Sequence, residues 1–267
     1  MENKKNEVLV SVIIAVYNCE KYIDICMESL LNQTYKNIQI VICDDCSTDG
    51  TKETLKKYKS LDNVTIIENE HNMKQAYSRN RCIDLCSGEY IIIQDADDIA
   101  EPDRIEHILN AFTEDIDFVG TNWYLFDDKG PYQNCSTNIE YPQKKDFLWG
   151  TPFCHATIMF RSEPLKRVKY DENISRGEDY NLLMELYAKG YRGKNIGEFL
   201  YGYRVDGNTL ARRSLAARFE ECKVRFNGFR KNGLLLPYGW IFIFKPIAAH
   251  IHQAINNYTY KNKYKTR

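Results

Sequence analysis

Two hydrophobic periods alternate along the first half of the chain. Val8–Val16 is an almost unbroken apolar run, as expected of a strand buried on both faces. The next segment sets Ile23, Cys26, Met27, Leu30 and Leu31 on one helical stripe. Ile38–Cys43 returns to the strand pattern, and Ser47-Thr-Asp-Gly-Thr-Lys-Glu53 predicts a turn followed by a helix N-terminus. Val64–Glu68 predicts a third strand. After it comes a helix carrying Ala76, Arg79, Cys82, Ile83 and Cys86, stopped by Ser87-Gly88. Tyr90–Gln94 reads as a fourth strand and Pro102–Phe112 as a helix.

Strands and helices joined in alternation by short connections imply an α/β fold, with a parallel sheet covered by helices on both faces. Such sheets bind ligands at the carboxyl ends of their strands. The polar residues collect there: Tyr17-Asn18, Asp44-Asp45 and Asp95-Ala-Asp97-Asp98 each follow a strand. Carboxylates this close repel one another unless a cation or a proton intervenes. Hard oxygen ligands at a strand exit suit Mg²⁺ or Mn²⁺, ions that share their coordination with a substrate's phosphates. The competing reading is a solvated acidic loop, with Asp98 or Glu101 capping the helix that starts near Pro102. A dinucleotide-binding fingerprint is excluded, because the first strand-to-helix turn, Val16-Tyr-Asn-Cys-Glu-Lys21, contains no glycine. No Gly-Lys-Ser/Thr phosphate loop occurs either, which leaves phosphates to a metal and to side chains.

Composition adds bounds and one asymmetry. At 267 residues and 43% hydrophobic content the chain can bury a substantial core. A formal net charge of −1 hides a basic tail, since Leu210–Arg267 holds 12 Lys/Arg against 2 Asp/Glu. Nine scattered cysteines and a polar Met1–Glu7 point to a reducing cytoplasm, with cysteines acting as small core residues. A zinc site built from Cys43, Cys46, Cys82 and Cys86 is the weaker reading, because these residues fall on buried-looking elements. No stretch is long and apolar enough to span a membrane, and Leu234–Ile251 is broken by Pro237, Lys245 and Pro246.

Six motifs occur in order: Ser11-Val-Ile-Ile-Ala-Val-Tyr-Asn18, Asp44-Asp-Cys-Ser-Thr-Asp-Gly-Thr51, Ser78-Arg-Asn80, Ser87-Gly-Glu-Tyr90, Asp95-Ala-Asp-Asp98 and Glu178-Asp179. Together they resemble the family-2 glycosyltransferases of the GT-A fold, over roughly residues 8–204. The resemblance implies a Rossmann-like, mostly parallel central sheet and an inverting transfer from a nucleotide-activated sugar, usually a UDP-sugar. It implies that Tyr17 meets the base, Asp45 accepts from the uracil N–H, and Arg79 reaches the diphosphate or braces Asp95. Asp97, with Asp95, would hold Mn²⁺ or Mg²⁺, while Asp98 would cap the following helix. Tyr203-Arg204 would close over the donor phosphates, with a surface salt bridge as the rival reading of Arg204. Glu178 would lie on the acceptor side, and so would His155, whose rival reading is a structural histidine beside a strand. Glu178-Asp179 opens a helix whose Leu182, Leu183, Leu186 and Tyr187 form the apolar side. The motif implies that Asp179 is the general base, which an attacking hydroxyl requires at neutral pH. Three positions depart from the family pattern: Lys74 and Cys46 replace usual glycine or glycine/asparagine, and Asp206-Gly207 stands where relatives often carry histidine.

This reading divides the chain into a catalytic domain over 1–209 and a helical, basic extension over 210–267. The catalytic domain comprises a nucleotide-sugar half to about residue 115 and an acceptor half from about 116. In the extension, Leu215, Phe219, Cys222, Phe226 and Phe229 form one helical stripe, and Trp240 sits in an apolar block. Basic residues beside exposed aromatics suit an anionic membrane surface, the rival being a helix packed on the catalytic domain with ordinary solvated lysines. The aromatics cluster instead of interleaving with the charges, which argues against nucleic acid. The expectation is a cytoplasmic enzyme, peripheral on the inner face of the cell membrane. It would move one sugar from a UDP-sugar to a lipid-linked saccharide during bacterial surface polysaccharide assembly. The alternatives are a soluble or protein acceptor, or an inactive sugar-nucleotide-binding scaffold.

Overall fold

A computed structural model describes residues 8–205 and 215–251. The polar N-terminal segment, the Asp206-Gly207 departure, the 209/210 boundary and the basic C-terminal end lie outside the described residues. The strands are β1 (Val10–Val16), β2 (Ile38–Asp44), β3 (Val64–Glu68), β4 (Tyr90–Ile93), β5 (Ile99–Ala100), β6 (Phe118–Asp127), β7 (Gly130–Cys135), β8 (Met159–Arg161) and β9 (Gly193–Arg204). The helices are α1 (Ile23–Leu31), α2 (Thr51–Lys56), α3 (Lys74–Leu85), α4 (Arg104–Ala111), α5 (Ser162–Val168), α6 (Glu178–Ala188), α7 (Leu215–Asn232) and α8 (Gly239–Ile243).

The sheet runs β3-β2-β1-β4-β8-β6-β9-β5, with β7 added to β6. From β3 to β4 every pairing is parallel. Beyond β4 the sheet is mixed: β8 runs antiparallel to both its neighbours, while β6 and β9 are parallel. Because β1 is flanked by β2 and β4, the chain reverses its direction of travel across the sheet at β1. A crevice at the strand ends follows from that reversal.

Strand alternation distributes the core over two faces. Val10, Val12 and Ile14 of β1 join Ile40, Ile42 and Ile92 beneath α1 and α4. Ile13, Val41, Ile91 and Ile93 face α3 and α6 on the other side. Cys43 and Cys82 belong to this second face, where Cys82 Sγ donates to the Ile14 carbonyl at 3.6 Å.

Two expectations are corrected here. Asp98 does not cap α4, whose N-cap position is Asp103 with no side-chain cap bond. Asp98 is buried and accepts from the Tyr201 hydroxyl and the Arg204 backbone N–H, each at 2.7 Å, which ties the acidic loop to β9. In α7 the apolar stripe read from sequence is split between two faces. Cys222 and Phe229 are buried with Arg218, Val224 and Gly228, whereas Leu215, Phe219 and Phe226 are exposed. α7 packs its buried face on α6, closely because a Cβ at Gly228 would stand 3.0 Å from Met184 Cε.

Candidate active site

Three strand ends bring the polar exits together. A cavity of about 590 Å³ opens where β1, β2 and β4 finish, lined by Tyr17, Asp45, Lys74, Asp95, Asp97 and others. A second cavity of about 570 Å³ is lined by Arg79, His155, Glu178, Asp179 and residues of α7. Gln75, Asp95, Arg176, Glu178 and Tyr203 line both, so the two are parts of one cleft.

Tyr17 stands at the mouth, 48% exposed. Of the Asp44-Asp45 pair, Asp44 turns inward and accepts from the Ser47 hydroxyl, shaping its own loop. Asp45 instead accepts from Asn69 Nδ2 (2.6 Å), Met73 N (2.7 Å) and Lys74 N (2.8 Å). A carboxylate offers about four acceptor sites, so one remains after the loop before α3 is fixed. Lys74 and Cys46 have φ of +74° and +64°. That left-handed backbone is the physical reason glycine is usual at such positions.

The acidic loop after β4 is held rigidly from behind. Gln94 Nε2 donates to the carbonyls of Asp95 and Asp98, and the Asp95 N–H donates to the Tyr201 hydroxyl. Burial, together with the charges of Asp95 and Asp97, pushes the Asp98 carboxyl well above the ordinary range. Asp97 is exposed and Asp95 is partly exposed, so both can meet a ligand. These two carboxylates form a partial oxygen set, which fits Mg²⁺ or Mn²⁺ completed by phosphate oxygens. Among the described residues no group of three His, Cys, Asp or Glu side chains forms a preassembled cage.

Arg79 is 4% exposed and joins the two halves of the cleft. Its Nη2 lies 2.9 Å from Asp95 Oδ1 and its Nη1 3.4 Å from Glu178 Oε1. Its guanidinium donates to Asp95, one of the two partners read from sequence, and it also lines the cleft. Arg204 does not line the cleft. It is buried behind the acidic loop, donating to the Asp97 carbonyl at 3.1 Å and pairing with Asp128 at 2.9 Å. Tyr22 and Phe126 sandwich it, each ring centroid 4.4 Å from its guanidinium carbon. His155 is buried against the Tyr170 hydroxyl at 2.7 Å, and burial with the nearby Arg79 charge drives its pKa well below the usual value. It is a neutral ring at the cavity wall.

Glu178 and Asp179 occupy the first turn of α6, behind Gly177. Gly177 has φ +80°, a turn that points the helix N-terminus at the cleft with little strain for a residue lacking Cβ. Helix-end N–H groups favour anions there. Burial opposes that and wins, raising both carboxyls above their ordinary values, while Arg79 pulls each partly back. Both groups therefore stay responsive to protons at higher pH than a surface carboxylate.

Sequence reasoning missed Arg176, Gln75 and the α7 residues Arg218, Glu221 and Arg225, all of which line the cleft. The available signal was the spacing of Arg218 and Arg225, two helical turns apart on one face. The apolar stripe beside them drew attention away.

The Glycosyl transferase family 2 model matches residues 11–169. EpsE of Bacillus subtilis (strain 168), named as a glycosyltransferase, is 35% identical over 264 residues, covering 95% of this chain and 94% of its own length. The UDP-Glc:alpha-D-GlcNAc-diphosphoundecaprenol beta-1,3-glucosyltransferase WfaP of Escherichia coli is 29% identical, covering 88% and 91%. Two solved structures share the fold. Staphylococcus aureus TarS 1-349 in complex with UDP-GlcNAc has a TM-score of 0.69 at 20% identity, covering 85% of this chain and 71% of that one. The mannosyltransferase PcManGT from Pyrobaculum calidifontis, with GDP-Man and Mn²⁺, has a TM-score of 0.62 at 18% identity, covering 91% and 75%.

Proposed function

The chain belongs to glycosyl transferase family 2, and we propose that it is an inverting, metal-dependent transferase that moves one sugar from a UDP-sugar to a hydroxyl of a lipid-linked saccharide during surface polysaccharide assembly. One observation carries this reading: carboxylates at the β4 exit and carboxylates at the α6 N-terminus face one cleft, linked through Arg79. The first set suits a diphosphate with its cation, and the second suits an incoming hydroxyl.

In this reading Tyr17 meets the base and the remaining acceptor site of Asp45 takes the uracil N–H. Asp97 and Asp95 would hold Mn²⁺ or Mg²⁺, which when bound neutralises charge developing on the leaving diphosphate. Arg79 fixes the orientation of Asp95. Asp179 takes the proton from the acceptor hydroxyl as its oxygen attacks the anomeric carbon opposite the diphosphate, and the configuration inverts. Glu178, paired with Arg79, keeps the acceptor side polar and placed. Arg204 acts behind the loop as a support, without touching phosphate.

The lipid-linked acceptor is supported by the chemistry named for WfaP. It is also supported by an exposed apolar surface: Leu236, Tyr238, Trp240, Ile241 and Phe244 are 52–83% exposed, beside Trp149 and Lys245. No described helix is long and apolar enough to cross a membrane, which is compatible with peripheral association. The deciding experiment incubates the protein with a panel of UDP-sugars and Mn²⁺ and measures UDP release, beside the Asp97→Ala variant. Release from one donor, abolished by the substitution with the fold intact, is the expected result. Equal release from the variant sinks the metal assignment, and no release by the parent from any UDP-sugar sinks the donor assignment.

A further inference from the structure

The outer wall of the cleft is built by a helix beyond the matched family region, and it is cationic. α7 sets Arg218 and Arg225 along the cavity that also holds Asp95, Glu178 and Asp179, while Arg176 stands on the loop before α6. Arg218 is only 5% exposed. Its Nη1 pairs with Glu221 Oε2 at 3.0 Å, yet its buried Nε has no hydrogen-bond partner among the described residues. A buried donor left unpaired is costly, and an anion drawn to the guanidinium charge where Arg218 lines the cavity offsets that cost. Arg225 lies over the Tyr180 ring at 4.9 Å, and among the described residues its hydrogen-bond contact is a long one, 3.4 Å, to the Leu148 carbonyl. Elsewhere in the cleft Arg79 is already committed to Asp95 and Glu178, so its charge is spent there. Guanidinium forks on a rigid wall match the oxygens of phosphate.

We propose that Arg176, Arg218 and Arg225 form an anion subsite that holds the phosphate groups of a diphosphate-linked saccharide acceptor. This deepens the transferase reading and rests on it, because the acceptor must enter the cavity containing Asp179. Glu221 holds Arg218 in place while the subsite is empty. α8, with exposed Trp240, Ile241 and Phe244, packs against α7, so apolar surface for the lipid adjoins the cationic wall.

The test measures calorimetric binding of octyl diphosphate to the full chain, with the donor site kept filled by UDP and Mg²⁺ in excess. Arg176→Gln/Arg225→Gln, which leaves the buried Arg218 untouched, should weaken binding by about tenfold or more. UDP affinity should not change in Arg225→Gln alone, whose side chain lines the acceptor-side cavity and not the donor cavity. Arg218→Lys should weaken binding less than Arg218→Gln. Glu221→Gln should tighten it, because a competing carboxylate is lost, which a purely structural role for Arg218 does not produce. Octyl diphosphate binding that is unaffected by the double substitution overturns the subsite. So does inorganic pyrophosphate binding as tightly as octyl diphosphate, since the ligand is then a free anion, and so does preference for glucuronate. UDP that fails to bind the parent overturns the donor assignment instead, and the arginine dependence still decides the subsite.

Discussion

In the proposed reaction, Asp179 is the residue on which turnover depends most directly. Asp179→Asn keeps the shape and removes the proton acceptor, so turnover should fall by roughly 10²- to 10⁴-fold while UDP affinity stays near that of the parent. As the proposed base, Asp179 would work deprotonated, and burial raises its pKa. The rate should therefore fall, as pH decreases, at a pH above the ordinary carboxylate range, and the variant should lose this limb. A pH–rate profile with its acid limb at an ordinary carboxylate value would move the role to another group. Lys74 poses a stability question at the same scale. Its side chain gains nothing from φ +74°, and its backbone bond to Asp45 survives substitution. Lys74→Gly should raise stability by about 0.5 kcal/mol, the relieved strain being partly offset by a looser unfolded chain. Urea denaturation measures it, and a clear loss of stability would mean that the lysine side chain outweighs the strain.

Among the elements, β1 to β4 and their helices were legible because each repeats one period cleanly and buries one or both faces. Val64–Glu68 was read to the residue, and β1 starts two positions later than its apolar run. β6 and β9 were not read as strands. Their lengths of 10 and 12 residues carry mixed burial, with pairing irregularities around Asn122, so neither period 2 nor a continuous apolar run survives. The candidate site followed the same division: carboxylates at strand ends were visible, but the roles of Asp98 and Arg204 depended on β9 arriving from more than a hundred residues away. In α7 the stripe from Leu215 to Phe229 looked continuous because 222 and 229 border the buried face, while 215, 219 and 226 fall outside it. Phe229→Ala should therefore cost about 3–5 kcal/mol, since its side chain is fully buried, whereas Phe219→Ala, 57% exposed, should be nearly neutral. Denaturant midpoints of the two variants check this, and equal losses would mean that α7 is rotated on α6.

At the scale of the whole molecule, the basic charge of Leu210–Arg267 and the exposed aromatics of α8 lie at the same end of the chain. Each basic residue near an anionic surface contributes about 1 kcal/mol, a contribution that salt screens. Binding to anionic liposomes should weaken as salt rises without vanishing, because apolar insertion persists. Trp240→Glu/Phe244→Glu should remove the salt-resistant part; Phe242 is less suitable, since it packs edge-on against Trp149 at 4.7 Å. Co-sedimentation that does not distinguish anionic from neutral liposomes rejects the electrostatic half, and a double variant that binds like the parent rejects insertion.

Arg79 gives the cleft a property that neither cavity has alone. One guanidinium is shared between Asp95 and Glu178, so whatever arrives beside the first changes how strongly it holds the second. In the proposed reaction, loading at one side would thereby be felt at the other. Thermodynamics requires the message to be equal in both directions: if the donor sharpens the grip on acceptor, the acceptor sharpens the grip on donor by the same factor.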